Sequence, residues 1–177
     1  MNPWAEEVLS YWFSLRPEQW WFDKGLDAEI EERFRPLWEE QQQRPINSFL
    51  GSPREALAAV ILFDQFPRNM MRGHADQFAT DHMGLAVAKA AIGRGWDEGM
   101  TQAERGFLYM PFQHSEDLAD QQRSLVLFTA LGDEKQLDYA KKHHDVIERF
   151  GRFPHRNAIL GRTPRPAETD AGDVVPW

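Results

Sequence analysis

Cysteine is absent from the 177 residues. That excludes disulfides and every thiolate metal site, and it fits a reducing compartment. Positive charge is short: 20 lysines and arginines stand against 28 aspartates and glutamates, for a formal net charge of -8. Such a chain lacks the clustered basic footprint of a nucleic-acid binder, so nucleic acid is not an expected partner. No apolar run approaches membrane-spanning length, and the opening Met1-Asn2-Pro3-Trp4-Ala5-Glu6-Glu7 is acidic where a signal peptide would be basic. The expectation is a soluble cytoplasmic protein that does not engage a membrane.

Several signatures of chemistry are missing as well. There is no glycine-rich phosphate loop, no Gly-x-Ser-x-Gly elbow, no His-Glu-x-x-His and no pair of Glu-x-x-His motifs. No cofactor is expected and no metal site is assigned, since Glu116, Asp117, His144 and His155 would have to converge through the fold to hold an ion. No segment alternates with the period of two that a strand hairpin needs, which leaves an all-α fold of antiparallel helices with short connections.

What is present is helical grammar. Pro3 opens an amphipathic helix along Trp4, Val8, Leu9, Trp12 and Phe13; Arg16 to Asp23 reads as a connector carrying the aromatic triplet Trp20-Trp21-Phe22. Asp27 is placed as the cap of a second helix, kinked or restarted near Pro36. Pro53 starts a third whose end, Ala58 to Phe63, is apolar all round and therefore central. Asp81 is read as an N-cap, Thr101 with Glu104 as a capping box, and Met110-Pro111 as a break before a helix begun at Ser115. Gly132 and Asp133 separate that helix from the last long one, which ends at Phe150. The length suits one domain, residues 1–162, followed by a loosely held tail, 163–177.

The sign of charge reverses between His143 and Arg162. Arg149, Arg152, Arg156 and Arg162 gather there with His143, His144 and His155 around two phenylalanines, Gly151 and Pro154. Gly151 is expected to close one helix in the left-handed conformation and Pro154 to open another, whose first turn carries His155, Arg156 and Asn157. Unpaired N–H groups at such a start would hold an anion, either a ligand or one of the protein's own carboxylates. Phe66-Pro67-Arg68-Asn69 echoes Phe153-Pro154-His155-Arg156-Asn157, and Asp64, Arg68, Asn69 and Arg72 form a second candidate wall. The third is His114-Ser115-Glu116-Asp117. There His114 and Glu116 read equally as acid–base groups or as structure, while Ser115 and Asp117 fit a cap and a helix-dipole complement. Of the adjacent pair His143 and His144, only His144 is placed on the apolar helix face.

These segments together, Leu62 to Asn69 with Arg72-Gly73, Phe78 to Asp81, Phe107 to Asp117 and His144 to Arg162, resemble the bacterial family catalogued as domain of unknown function 924. The resemblance runs from Trp12 to about Glu168. Gln113 stands where the family more often has Glu, and a proline-rich tail follows Thr163. It implies an all-helical, tetratricopeptide-like fold and brings no assigned catalytic residues. From the residues themselves come two functional expectations. One is a pocket that binds a small carboxylate or phosphate through Asp64, Arg68, Asn69, Arg72, Arg152, Arg156 and Asn157, with His114, Glu116 or His155 moving a proton. The other is a non-catalytic module whose groove takes a peptide partner through Trp20, Trp21 and Trp38. A structural reading stands beside both, in which the arginine, aspartate and histidine sets are latches between loops and helices.

Overall fold

The computed structural model describes residues 1–177, with Phe22 as backbone only. It is helical throughout and, among the described residues, contains no strand. The chain divides into two compact units, Met1–Pro111 and Phe112–Trp177. The sequence had suggested one domain ending at residue 162.

The first unit opens with α1 (Pro3–Ser14), α2 (Pro17–Phe22) and α3 (Leu26–Gln41). The expected connector at Arg16 to Asp23 is thus itself a helix. Pro17 occupies its first turn, and the Gln19 side chain accepts a hydrogen bond from the Arg16 backbone N–H at 2.9 Å. Helix α3 passes through Pro36 without ending. After a 3₁₀ turn at Ile46–Phe49, α4 (Pro53–Val60) is capped by Ser52, whose hydroxyl accepts from the Glu55 N–H at 3.2 Å. Ala58 to Phe63 is buried, as its all-round apolarity predicted, and burial extends from Ala56 to Pro67.

That central run is not one α-helix. At Ile61–Gln65 the backbone widens into a π-helical turn before α5 (Phe66–Met70). The turn carries Asp64 into the interior, where it is 0% exposed. Helix α6 (Asp81–Gly93) packs on α4 and on this turn; a methyl group at Gly84 would lie only 3.3 Å from the Asp64 Cβ, so the missing side chain permits the approach. An aromatic cluster fills the rest of the unit: Phe34 lies 4.6 Å from Phe66, and Trp12 lies 5.7 Å from Phe66 and 5.4 Å from Phe107 between ring centres.

Helix α7 (Gln102–His114) begins with the expected capping box: the Glu104 N–H donates to the Thr101 hydroxyl and the Thr101 N–H to the Glu104 carboxylate. It was expected to stop at Tyr109 but runs on through Pro111. In the second unit α8 (Leu118–Leu131) is capped by Asp117, not Ser115; the Asp117 carboxylate accepts from Ala119 and Asp120. Gly132, at φ 80°, turns the chain into α9 (Glu134–Phe150), capped by Asp133, and the two helices form a hairpin. Gly151, at φ 72°, ends α9 as expected. A 3₁₀ turn at Pro154–Arg156 leads into α10 (Asn157–Leu160), and α11 (Pro166–Asp170) follows. Val146, Ile147 and Phe153 form one hydrophobic cluster of this unit, with Phe150 and Val174 packed against them.

Candidate functional site

In the first unit, the polar wall expected at the end of the central helix is built, and Arg68, Asn69 and Arg72 each have a carboxylate partner. The Arg68 guanidinium forks onto Asp81 at 2.7 and 3.0 Å, donates to the Asp64 backbone carbonyl at 2.6 Å, and lies 3.8 Å from the Asp64 carboxylate. Burial opposes its charge, but the Asp81 and Asp64 carboxylates outweigh burial and hold its pKa above the ordinary arginine value. Gln65 donates to Asp64 at 2.9 Å. Asn69 and Arg72 both bond Asp27, Arg72 through a fork of 2.6 and 2.9 Å. Asp27 and Asp81, expected to cap helices through their side chains, are instead the acceptors of this wall; the residues before α3 and α6, Gly25 and Thr80, make no side-chain cap. Thr80 has another task. Its hydroxyl donates to the Phe63 carbonyl in the π turn at 2.8 Å and accepts from the Trp38 indole at 3.0 Å.

In the second unit, two of the sequence-predicted segments meet. The Phe153 backbone N–H donates to the Glu116 carboxylate at 2.6 Å, and the Arg156 guanidinium donates to the His114 carbonyl at 3.0 Å. Arg162 forks onto Glu116 at 2.8 and 3.2 Å and also bonds the Asn157 side-chain oxygen and the Phe153 carbonyl. Burial alone would raise the Glu116 pKa, yet the Arg162 hydrogen bonds and the Phe153 N–H bring it below the ordinary carboxylate value. Glu116 is therefore held ionised. It can accept hydrogen bonds but is a poor proton donor at neutral pH.

The second carboxylate of this corner comes from the tail. Glu168 accepts from Arg152 Nε at 3.0 and 3.2 Å, from Arg152 Nη2 at 2.9 Å, from Asn157 Nδ2 at 2.8 Å and from the Arg165 N–H at 3.3 Å. Chiefly through the Arg152 hydrogen bonds, its pKa is lowered to about 2. The segment after residue 162 is thus anchored at a buried Glu168 while most of its other residues are exposed.

Aromatic and imidazole rings sit among these pairs. The Arg156 guanidinium lies 4.6 Å from the centre of the Phe153 ring. His143 is 5.5 Å from Phe153 and 6.3 Å from His114, while His155 is 5.7 Å from Phe153 and 5.1 Å from Trp177. The sequence had placed His144, not His143, on the inner face; here His143 is the ring packed among these groups. Burial, reinforced by neighbouring His114, pushes its pKa down to about 3, so it is neutral at physiological pH. Its Nδ1 lies 2.7 Å from the Tyr139 carbonyl, which can only accept, so Nδ1 carries the proton. His144 instead joins Asp145 and Glu148, and one ligand atom from each lies within 4.8 Å of the others, an arrangement in which a metal ion could be held.

Besides His143, the residues that sequence reasoning missed are the acceptors: Asp27, Asp81 and Glu168. Asp81 and Asp27 gave a different local signal, that of a cap. Glu168 left one usable clue. Arg165-Pro166-Ala167-Glu168 repeats the pattern of α2, a proline in the first turn and a side-chain acceptor at the third position, and so marks a short helix.

Fold and site together define a class: an all-helical protein whose polar corners are arginine forks closed on internal carboxylates. The sequence profile described as "Bacterial protein of unknown function (DUF924)" matches residues 8–171, and the chain belongs to that family. A solved structure of a protein of unknown function, ATU0120 from Agrobacterium tumefaciens, is similar to it at 39% sequence identity and a TM-score of 0.88, over 94% of this chain and 95% of that one. Among curated proteins none matches. No helix among the described residues is long and apolar enough to cross a membrane.

Proposed function

We propose that the protein binds a small anionic ligand, a carboxylate or a phosphate, at the corner of the second unit formed by Phe153 to Asn157, Arg152, Arg162 and the end of α7. The observation that carries this reading is that the corner seats two carboxylates on arginine forks, Glu116 on Arg162 and Glu168 on Arg152 with Asn157. Forks of this kind, beside an apolar ring and neutral imidazole, are the chemistry of anion recognition. Arg156, buried and stacked on Phe153, supplies further positive charge. Arg68, Asn69 and Arg72 belong to the other unit and serve there as latches on Asp81 and Asp27.

Acid–base catalysis would be a second use of the same corner, with His114 or His155 moving the proton and Glu116 accepting hydrogen bonds. The test is a thermal-shift screen of the full chain against carboxylates, phosphates and nucleotides, with Arg156→Ala alongside. A ligand at about a hundred times its dissociation constant adds about 2.7 kcal/mol, several degrees in Tm. A shift seen in the parent and lost in the variant supports binding at this corner. Equal shifts in both move the site elsewhere.

The peptide-module reading draws on the α8–α9 hairpin, the kind of unit from which tetratricopeptide-like stacks are made, and on Trp21, 48% exposed and stacked on Phe107. Its other two anchors are committed internally. Trp38 is buried with its indole on Thr80, and the Trp20 indole donates to the Trp12 carbonyl at 2.9 Å. A peptide partner would therefore have to be held through Trp21, and Trp21→Ala is the variant that tests it.

A further inference from the structure

We propose that residues 163–177 are a built-in ligand arm: Glu168 occupies a carboxylate seat made by Arg152 and Asn157, and an external carboxylate binds there by displacing it. This rests on the anion-binding reading above and names both the ligand class and the control of that site.

Three observations point the same way. The first is how the arm is attached. From Thr163 to Trp177 only Glu168 and Pro176 are buried and only Val174 is half-buried; the intervening residues are exposed. Helix α11 has five residues, far too few to be stable alone, so it is ordered by its attachments: Glu168 on Arg152 and Asn157, the Thr163 carbonyl on Arg152 at 2.8 Å, and Arg165 on the Phe150 carbonyl at 3.1 Å.

The second is who owns the seat. Of the donors on Glu168, Arg152 Nε, Arg152 Nη2 and Asn157 Nδ2 lie outside the arm, and only the Arg165 N–H travels with it. The Asn157 half of the seat is also fixed independently of the arm, whereas the Arg152 guanidinium, among the described residues, bonds only the arm, at Glu168 and at the Thr163 carbonyl. Asn157 is bonded through its side-chain oxygen to Arg162, and Arg162 is clamped on Glu116 and the Phe153 carbonyl. An amide held in this way, beside a guanidinium that is freed of its partners when the arm leaves, is a receptor for an incoming carboxylate.

The third is what the arm covers. Val174 packs on the cluster of Val146, Ile147 and Phe153, and the Trp177 ring stands edge-on to His155 at 5.1 Å. Release of the arm would uncover Phe153 and His155 along with the seat. A ligand that pairs a carboxylate with an apolar group, as the arm does, matches both parts.

The experiment uses the full chain with glutarate as the small carboxylate and a synthetic peptide of residues 163–177 as the second probe. Calorimetric titration is run on the parent, on Glu168→Gln and on the gentler Glu168→Asp, and amide hydrogen exchange follows the arm. If the arm fills the seat about nine-tenths of the time or more, Glu168→Gln binds glutarate about ten-fold or more tighter than the parent, and Glu168→Asp falls between. Saturating glutarate on the parent should release protection in residues 163–177 and leave α8 and α9 protected. Glu168→Gln should take up the peptide in trans, and a peptide carrying glutamine in place of its glutamate should not bind. Equal glutarate affinity in all three proteins, with the arm still protected, overturns the displacement and leaves the anion-binding reading standing. No binding of glutarate or peptide to any of them overturns both. If Glu168→Gln does not fold, Glu168→Asp decides, and its failure to bind glutarate more tightly than the parent overturns the proposal.

Discussion

Thr80 joins three elements through one hydroxyl. It accepts from Trp38 on α3 and donates to the carbonyl of Phe63 in the widened turn, both in the buried interior. Thr80→Val keeps the shape and strands an indole N–H and a carbonyl, at a cost of about 1–3 kcal/mol in unfolding by urea. Arg68 bears more, because Asp64 is fully buried and Asp81 largely so. Arg68→Ala removes the cation shared by two acids and should cost about 3–5 kcal/mol. A loss below about 1 kcal/mol would mean that the fork is not a strut. Arg72 shows the same logic nearer the surface, so Arg72→Ala should have a smaller effect than Arg68→Ala.

The helices differ in how far they are written in their own sequence. Local grammar predicted α1, the Thr101–Glu104 box, the Gly132–Asp133 break and the left-handed Gly151, because each depends on residues a few positions apart. Gly151→Ala places a side chain at φ 72° and should cost about 1–2 kcal/mol, read as a lower urea midpoint with unchanged slope. Breaks inferred from proline held less well. Helix α3 absorbs Pro36 and α7 absorbs Pro111, since tertiary packing outweighs the lost backbone bond; around Pro111, Met110 and Phe112 are buried. The candidate site was legible in composition and illegible in pairing. That Arg68, Arg72 and Arg152 needed acids was plain, but the acids lie 13, 45 and 16 residues away, distances that leave no periodic trace. His143 was missed for a related reason: its inward face is set by Phe153 and His114, neither of them on its helix.

At the scale of the molecule, acid should act through named groups. His143 is neutral when folded, with a pKa of about 3 against an ordinary 6.5. Below pH 6.5 the unfolded chain gains a proton that the folded chain refuses, so stability falls as pH drops from about 6.5 to about 3 and no further on this account. The loss between pH 7 and pH 5 is about 2 kcal/mol for this group. His143→Gln should flatten that interval of the stability curve, and an unchanged slope would place the titration elsewhere. The carboxylates act lower. Glu168 and Glu116 have depressed pKa values, so their contribution is complete above the ordinary carboxylate value of 4.5 and is lost as pH falls towards about 2 for Glu168.

The widened turn at Ile61–Gln65 has one more consequence, for how many residues this stretch can contain. A π turn holds one residue more than the α turn it replaces, and each residue of an α-helix advances the side-chain direction by about 100°. Removing one residue there would let the chain complete the same rotation as a continuous α-helix, leaving Arg68 towards Asp81 and Asn69 and Arg72 towards Asp27. A deletion within α5 has no such buffer and would swing the residues beyond it about a quarter of the way round the helix axis. Between Ser52 and Arg72 the widened turn is therefore the place where the residue count can change by one, and alignments of the family should place single-residue gaps of this segment there.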